Sequence, residues 1–418
     1  MTLRALTCVL LFTLLALSAP LHGVHADDTA VEETVADDGY EILSTIKEDG
    51  SPVAVVRRNG ALFLLYDKTI IGAEFDDPIL RKQAAYPGFA IMQCVKYLDR
   101  DISRAVQVGL GIGTVPSFLR FYGIPTDVVE ISDAVVRQAT DYFQYERCDP
   151  EDPEGCDWGA TYLTDGLAFI NKPPAEPQYD TFIIDVYTGW NPVAFFVKEV
   201  IDTVHHKWLK PRGVMVLNFV GFISGEHSGV PKSIYKTLLT SFKHVKAYRW
   251  VQFRYMHNDS YVSDQSCCLR SEIPDATDIS GINIVFFASD EPFTFDVPTD
   301  GEYYDPPERT YYHVVKNFQD WEIFTELRDE PVDSTPAVKE EAAVEVEVTQ
   351  PLDAEEVSFS ATLTKTDDAD GPRVQVLTMD DHGEVAFRAT HEFTQSHMRG
   401  RVIEQFPPEM WEELGIKL

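Results

Sequence analysis

Positive charge is what this sequence has least of. Its 35 Lys and Arg stand against 68 Asp and Glu, a formal net charge of −33 over 418 residues. A phosphate backbone or an anionic membrane needs a basic surface, so this balance excludes nucleic-acid binding and charge-driven membrane attachment. The excess acid is read as solvated tails and linkers. Long apolar runs are also missing: Leu10–Leu17 is too short for a bilayer span of about 20 residues, and no other segment reaches that length without charges. Cysteine is sparse, six in all, and no His or Cys spacing suits a zinc site. An EF-hand loop and internal repeats are absent as well, so no metal is expected.

What is present starts with a leader. Arg4, the apolar run at 10–17 and Val24-His25-Ala26 ahead of Asp27-Asp28 have the form of a signal peptide over residues 1–26. The expectation is a lumenal or secreted protein with no stable membrane insertion after cleavage; an uncleaved anchor is the alternative. Cys148 and Cys156 bracket an acidic, Pro-rich loop, which suits a small disulfide in an oxidising compartment. Asn258-Asp259-Ser260 is a glycosylation sequon usable there.

A hydrophobic content of 44% predicts a globular core. After an acidic spacer over 27–39, residues 40–85 alternate apolar runs with turn signals, Asn59-Gly60 among them, and predict a small antiparallel β domain. From 86 to 328 the pattern is α/β. Short apolar strands at 105–109, 127–130, 181–185, 213–218, 244–248 and 282–287 alternate with helices at 114–121, 132–143, 193–207 and 230–241. Such alternation predicts a Rossmann-like, mostly parallel twisted sheet with helices on both faces. An acidic linker follows at 329–357, then a small C-terminal unit over 358–418, read as a hairpin at 374–387 and a short helix near 408–414.

The chemistry concentrates at strand ends. Gly109, Gly111 and Gly113 follow the first strand and open a helix, where bare backbone can approach a ligand and free N–H groups are presented. Glu130 ends the next strand, placed to accept hydrogen bonds from two ribose hydroxyls. Asp165-Gly166 follows a third strand, where the acid can reach an adenine amino group. Asp185, at the end of the fourth, lies where open α/β sheets bind ligands and can accept a proton from an amine nucleophile. Trp190, Phe195 and Phe196 are read as core or as an acceptor pocket. His205-His206 is read as a helix C-terminal pair suited to the dipole.

With the preceding β unit, the runs 103–114, 128–143 and 208–218 resemble the spermidine synthase family of aminopropyltransferases over residues 40–290. The resemblance implies that Gly109, Gly111 and Gly113 line decarboxylated S-adenosylmethionine, that Glu130 holds the ribose and Asp165-Gly166 the adenine. It makes Asp185 the catalytic acid of the family's Asp-x-x-Asp motif, with Tyr86, Tyr187 and Thr188 on the acceptor side, and it suggests a homodimer. The departures are chemical. Thr188 stands where the second acid belongs, Ile112 replaces an acid in the glycine loop, and the segment from Tyr86 lacks its carboxylate. Burying either end of a diamine without a counter-charge costs several kcal/mol. The leading reading is aminopropyl transfer from decarboxylated S-adenosylmethionine to an amine, as in polyamine biosynthesis; the alternatives are methyl transfer from S-adenosylmethionine and a non-catalytic secreted binding protein.

Overall fold

A computed structural model describes residues 39–76, 84–151, 156–187, 189–249, 282–297, 315–328, 374–381 and 384–418. The leader expected over residues 1–26, the sequon at Asn258 and the linker expected over 329–357 lie outside them.

The chain first builds a four-stranded antiparallel sheet from β1 (Tyr40–Glu48), β2 (Ser51–Arg58), β3 (Ala61–Tyr66) and β4 (Thr69–Phe75), in that order. Arg58 pairs with Ala61, so Asn59 and Gly60 form a two-residue turn, both at positive φ, which matches the right-handed twist of the flanking strands. Alternation along β2 and β3 sends Val53, Val55, Leu62 and Leu64 to one face and Ala54, Val56, Phe63 and Leu65 to the other.

The second layer begins with α1 (Pro87–Gln93), β5 (Ala105–Val108), α2 (Thr114–Phe121), β6 (Thr126–Glu130) and α3 (Asp133–Tyr142). It continues through β7 (Thr161–Leu163), α4 (Gly166–Ile170), β8 (Tyr179–Ile184), α5 (Lys198–Thr203), β9 (Leu209–Gly221) and α6 (Gly229–Ser241). It closes with β10 (His244–Arg249), β11 (Ile282–Ser289) and β12 (Glu322–Ile323). These strands form an eight-stranded sheet in the order β12-β10-β11-β9-β8-β5-β6-β7. β5 to β9 run parallel, while β11 lies antiparallel to both β9 and β10. This is a Rossmann-like order with an antiparallel strand inserted near one end. Both faces are packed: Met215 and Leu217 join α5 and α6 in one core, while Val214 and Val216 join α1 and α2 in the other.

The end of the chain departs from expectation. Residues 384–404 form one helix, α7 (Glu384–Glu404), in place of the second strand of a hairpin; α8 (Pro408–Glu413) matches the short helix read from the sequence. The Val374–Leu377 run packs instead against α6, where Leu377 N–H donates to Thr237 Oγ1 at 2.9 Å. Val402, Phe406, Met410 and Trp411 cover the second face of the small sheet. That face would otherwise expose apolar surface, which explains why an N-terminal sheet buries both of its sides. Cys148 and Cys156 are disulfide-bonded, with Cα atoms 5.4 Å apart. His205 hydrogen-bonds Asp290 through Nε2 at 2.8 Å, a cross-chain pairing beyond the dipole reading. Among the described residues no helix is long and apolar enough to cross a membrane, and no cluster of His, Cys, Asp or Glu could hold a metal ion.

Candidate functional site

Strand order reverses at β5, which has β6 on one side and β8 on the other. Loops leaving the carboxyl ends of β5 and β8 therefore diverge and leave a crevice. A cavity of about 850 Å³ opens there, between the large sheet, β4 and α7.

Gly109 leaves β5 with φ of +91°, and any Cβ on it would overlap the Asp185 carbonyl oxygen. Only glycine lets these two strand ends meet, and Asp185 N–H donates to Val108 O at 2.9 Å. At Gly111 a Cβ would lie 2.7 Å from the Ile71 carbonyl oxygen, so the glycine loop runs against β4. Both glycines line the cavity. Gly113 is not among the lining residues; it caps α2 from its N-terminal side.

Glu130 gathers three backbone N–H groups. Oε2 accepts from Leu110 at 2.9 Å, and Oε1 accepts from Ile131 at 2.8 Å and Ser132 at 3.0 Å. Burial raises its pKa, and these hydrogen bonds oppose the rise. Glu48, from β1, accepts from the Ser132 hydroxyl and from Ala134 N–H, tying the small sheet to the start of α3. Asp165 caps α4, its Oδ1 accepting from Ala168 N–H at 2.7 Å, and both Asp165 and Gly166 line the cavity.

Asp185 sits at the mouth of β8. Burial pushes its carboxyl up to about 6, opposed by the hydrogen bond that Asn218 Nδ2 donates to Oδ1 at 2.8 Å. A carboxylate held in that range is ionised at neutral pH and still basic enough to take a proton. Tyr86 and Tyr187 also line the cavity; Thr188 lies outside the described residues. Phe195 lines the cavity from the buried side, Phe196 is core, and Trp190 is half exposed on the rim, its ring 5.1 Å from that of His391.

Other lining groups carry no signal of their own in the sequence. Asn218 reads there only as part of a strand. Arg399 and Arg401 come from α7 and Gln405 from the turn just after it, and this helical face is invisible when residues 374–387 are read as a hairpin. The available signal is a proline-free stretch from 373 to 406, long enough for several helical turns. Among the described residues, three buried polar atoms of the cavity lining have no hydrogen-bond partner: Asn218 Oδ1, Tyr187 Oη and Arg399 Nε. Buried polar groups are usually satisfied, so orphans on a cavity wall are groups that a ligand's polar atoms can satisfy.

No family model matches the chain. It is 29% identical over 216 residues to an N-terminal histidine N-methyltransferase of Emericella nidulans, a match covering 47% of this chain and 37% of that protein. The chain thus spans little more than a third of that relative. Among solved structures, a probable spermidine synthase from Corynebacterium glutamicum is similar with a TM-score of 0.47 and 16% identity, covering 65% of this chain and 85% of that one. Human methyltransferase-like protein 13 in complex with SAH is similar with a TM-score of 0.34 and 20% identity, covering 56% and 88%. With its strand order and its glycine loop facing a strand-end acid, the chain carries a Rossmann-like fold of the class I methyltransferase type.

Proposed function

We propose that the protein is an S-adenosylmethionine-dependent methyltransferase whose acceptor is a nitrogen atom. The observation that carries this reading is the ionic make-up of the cavity. Asp185 shares it with four other acids, Glu48, Asp49, Glu130 and Asp165, and with three bases, Lys68, Arg399 and Arg401, and among the described residues neither guanidinium is paired with an acid. A diamine brings two cations and decarboxylated S-adenosylmethionine brings a sulfonium and an ammonium, so both meet these arginines unfavourably. S-adenosylmethionine keeps a carboxylate. Ile112, at the position where aminopropyltransferases carry an acid, is an apolar contact packed with Leu110 and Val135, and reaches toward Gly72 of β4. The activity named for the curated relative supports nitrogen as the acceptor atom, with a histidine at a polypeptide N-terminus as first choice.

In this reading the nitrogen lone pair attacks the methyl carbon, the carbon–sulfur bond breaks, and its electron pair stays on sulfur. The proton left on nitrogen passes to Asp185. Alignment of acceptor and donor supplies most of the rate, because the sulfonium is already a good leaving group. Glu130 holds the ribose, Asp165 offers Oδ2 to the adenine amino group, and Gly109 and Gly111 admit the nucleoside to the backbone. Tyr86 and Tyr187 stand on the acceptor side. The leader over residues 1–26 would deliver this enzyme to the secretory pathway.

The test is a mass measurement. Protein, S-adenosylmethionine and a peptide beginning with histidine are incubated beside the same peptide N-acetylated, and beside putrescine with decarboxylated S-adenosylmethionine. A gain of one methyl group supports the reading, and its loss on acetylation assigns the α-amine over the ring. Formation of methylthioadenosine and spermidine, with no methylation, would replace it by aminopropyl transfer.

A further inference from the structure

The chain has nearly twice as many acids as bases, yet Arg399 has no acidic partner among the described residues. Arg399 projects from α7 into the cavity, and its Nε is buried without a hydrogen-bond partner among the described residues. Four of the five acids that line the same cavity are engaged elsewhere; the fifth, Asp49, lies in the turn between β1 and β2. Glu48 holds Ser132 and Ala134, Glu130 holds three backbone N–H groups, Asp165 caps α4, and Asp185 accepts from Asn218. Tyr187, two residues beyond Asp185, also buries its hydroxyl without a described partner, and the charge of Arg399 reaches it.

We infer that Arg399 and the Tyr187 hydroxyl form a carboxylate-binding subsite on the α7 wall of the cavity. Guanidinium and phenol are both donors here, so the complementary ligand is an acceptor-only anion. The planar fork of arginine matches the two oxygens of a carboxylate. Such a group would satisfy the orphaned Nε and Oη together, removing the cost of leaving buried donors unpaired. Two ligands of the proposed transferase carry this chemistry: the methionine end of S-adenosylmethionine, and an acceptor bearing its own carboxylate. The subsite rests on the methyltransferase reading for its ligand, and on the geometry alone for its existence.

Calorimetric titration of the full chain decides the matter. Wild type and Arg399→Gln are titrated with S-adenosylmethionine, its decarboxylated form and 5′-methylthioadenosine, which lacks the amino-acid end. They are then titrated with L-histidine and L-histidinamide in the presence of S-adenosylhomocysteine. Methylthioadenosine affinity reports whether the variant keeps its fold and its nucleoside site. Should the cofactor supply the carboxylate, Arg399→Gln weakens S-adenosylmethionine about tenfold or more and leaves methylthioadenosine unchanged, with Arg399→Lys and Tyr187→Phe intermediate. Should the acceptor supply it, cofactor affinity is unchanged and the variant loses the preference for histidine over its amide. A variant that binds every probe like wild type overturns the subsite. A wild type that binds no S-adenosyl compound defeats the transferase reading instead. Histidine against histidinamide, titrated alone, then still decides the subsite, and equal binding by wild type and variant overturns it.

Discussion

Replacing Asp185 with asparagine should stabilise the ligand-free protein while abolishing transfer. Burial lifts the Asp185 carboxyl from its ordinary 3.8 to about 6, because the ionised form loses hydration that Asn218 only partly replaces. A displacement of that size corresponds to about 3 kcal/mol. The sign follows from which state holds the proton more tightly. The folded-state pKa lies above the unfolded one, so the folded protein is the better proton binder. The contribution of this group to stability is greatest below pH 3.8, falls as pH rises from 3.8 to about 6, and stays lowered above that. In the Asp185→Asn variant this side chain is neutral at every pH, and its amide oxygen accepts the same N–H from Asn218. At about pH 7.5 the variant therefore gains up to about 3 kcal/mol, a rise of several degrees in melting temperature for a chain of this size. The gain shrinks toward zero near pH 4. Thermal melts of both proteins across that range measure it. Equal melting temperatures near neutrality, or a difference that does not change with pH, would refute the argument that Asp185 is held in an unfavourable ionised state.

Other consequences follow from the same geometry. Methyl transfer by wild type should fall on the acid side with a midpoint near pH 6, where Asp185 takes up its proton; a flat profile through that range removes it as the proton acceptor. Glu130→Gln should weaken S-adenosyl-ligand binding about tenfold or more by calorimetry, since a neutral amide is a poorer acceptor for ribose hydroxyls and its NH₂ must face at least one of the three backbone donors. Gly109→Ala should cost more than about 2 kcal/mol in denaturant unfolding, because its Cβ meets the Asp185 carbonyl and its φ is +91°. Trp411→Ala should cost about 3–5 kcal/mol, as a fully buried indole is lost from the core beneath the small sheet.

Much of the fold was legible because its signals are local. Asn59-Gly60 specifies a two-residue turn through its φ angles, and the largely apolar run at 105–108 and the continuous one at 214–217 announce strands buried on both faces. Gly109, Gly111, Glu130, Asp165 and Asp185 were readable as strand-end residues, and the topology gathers all five around one cavity. The direction of β11 was not legible. A strand covered on both faces is apolar at every position whichever way it runs, so only its pairing with β9 and β10 reveals that it is antiparallel.

The C-terminal segment shows the division most sharply. By itself the sequence determined the sheet-forming segments, the glycine turn and the acids at the strand ends, because each depends on neighbours a few residues away. Tertiary structure alone decided that residues 384–404 form a helix, that Trp411 seals a sheet made more than 300 residues earlier, and that Arg399 enters the cavity of Asp185. Those outcomes depend on which apolar face is left uncovered when the rest of the chain has packed, and no local pattern records that.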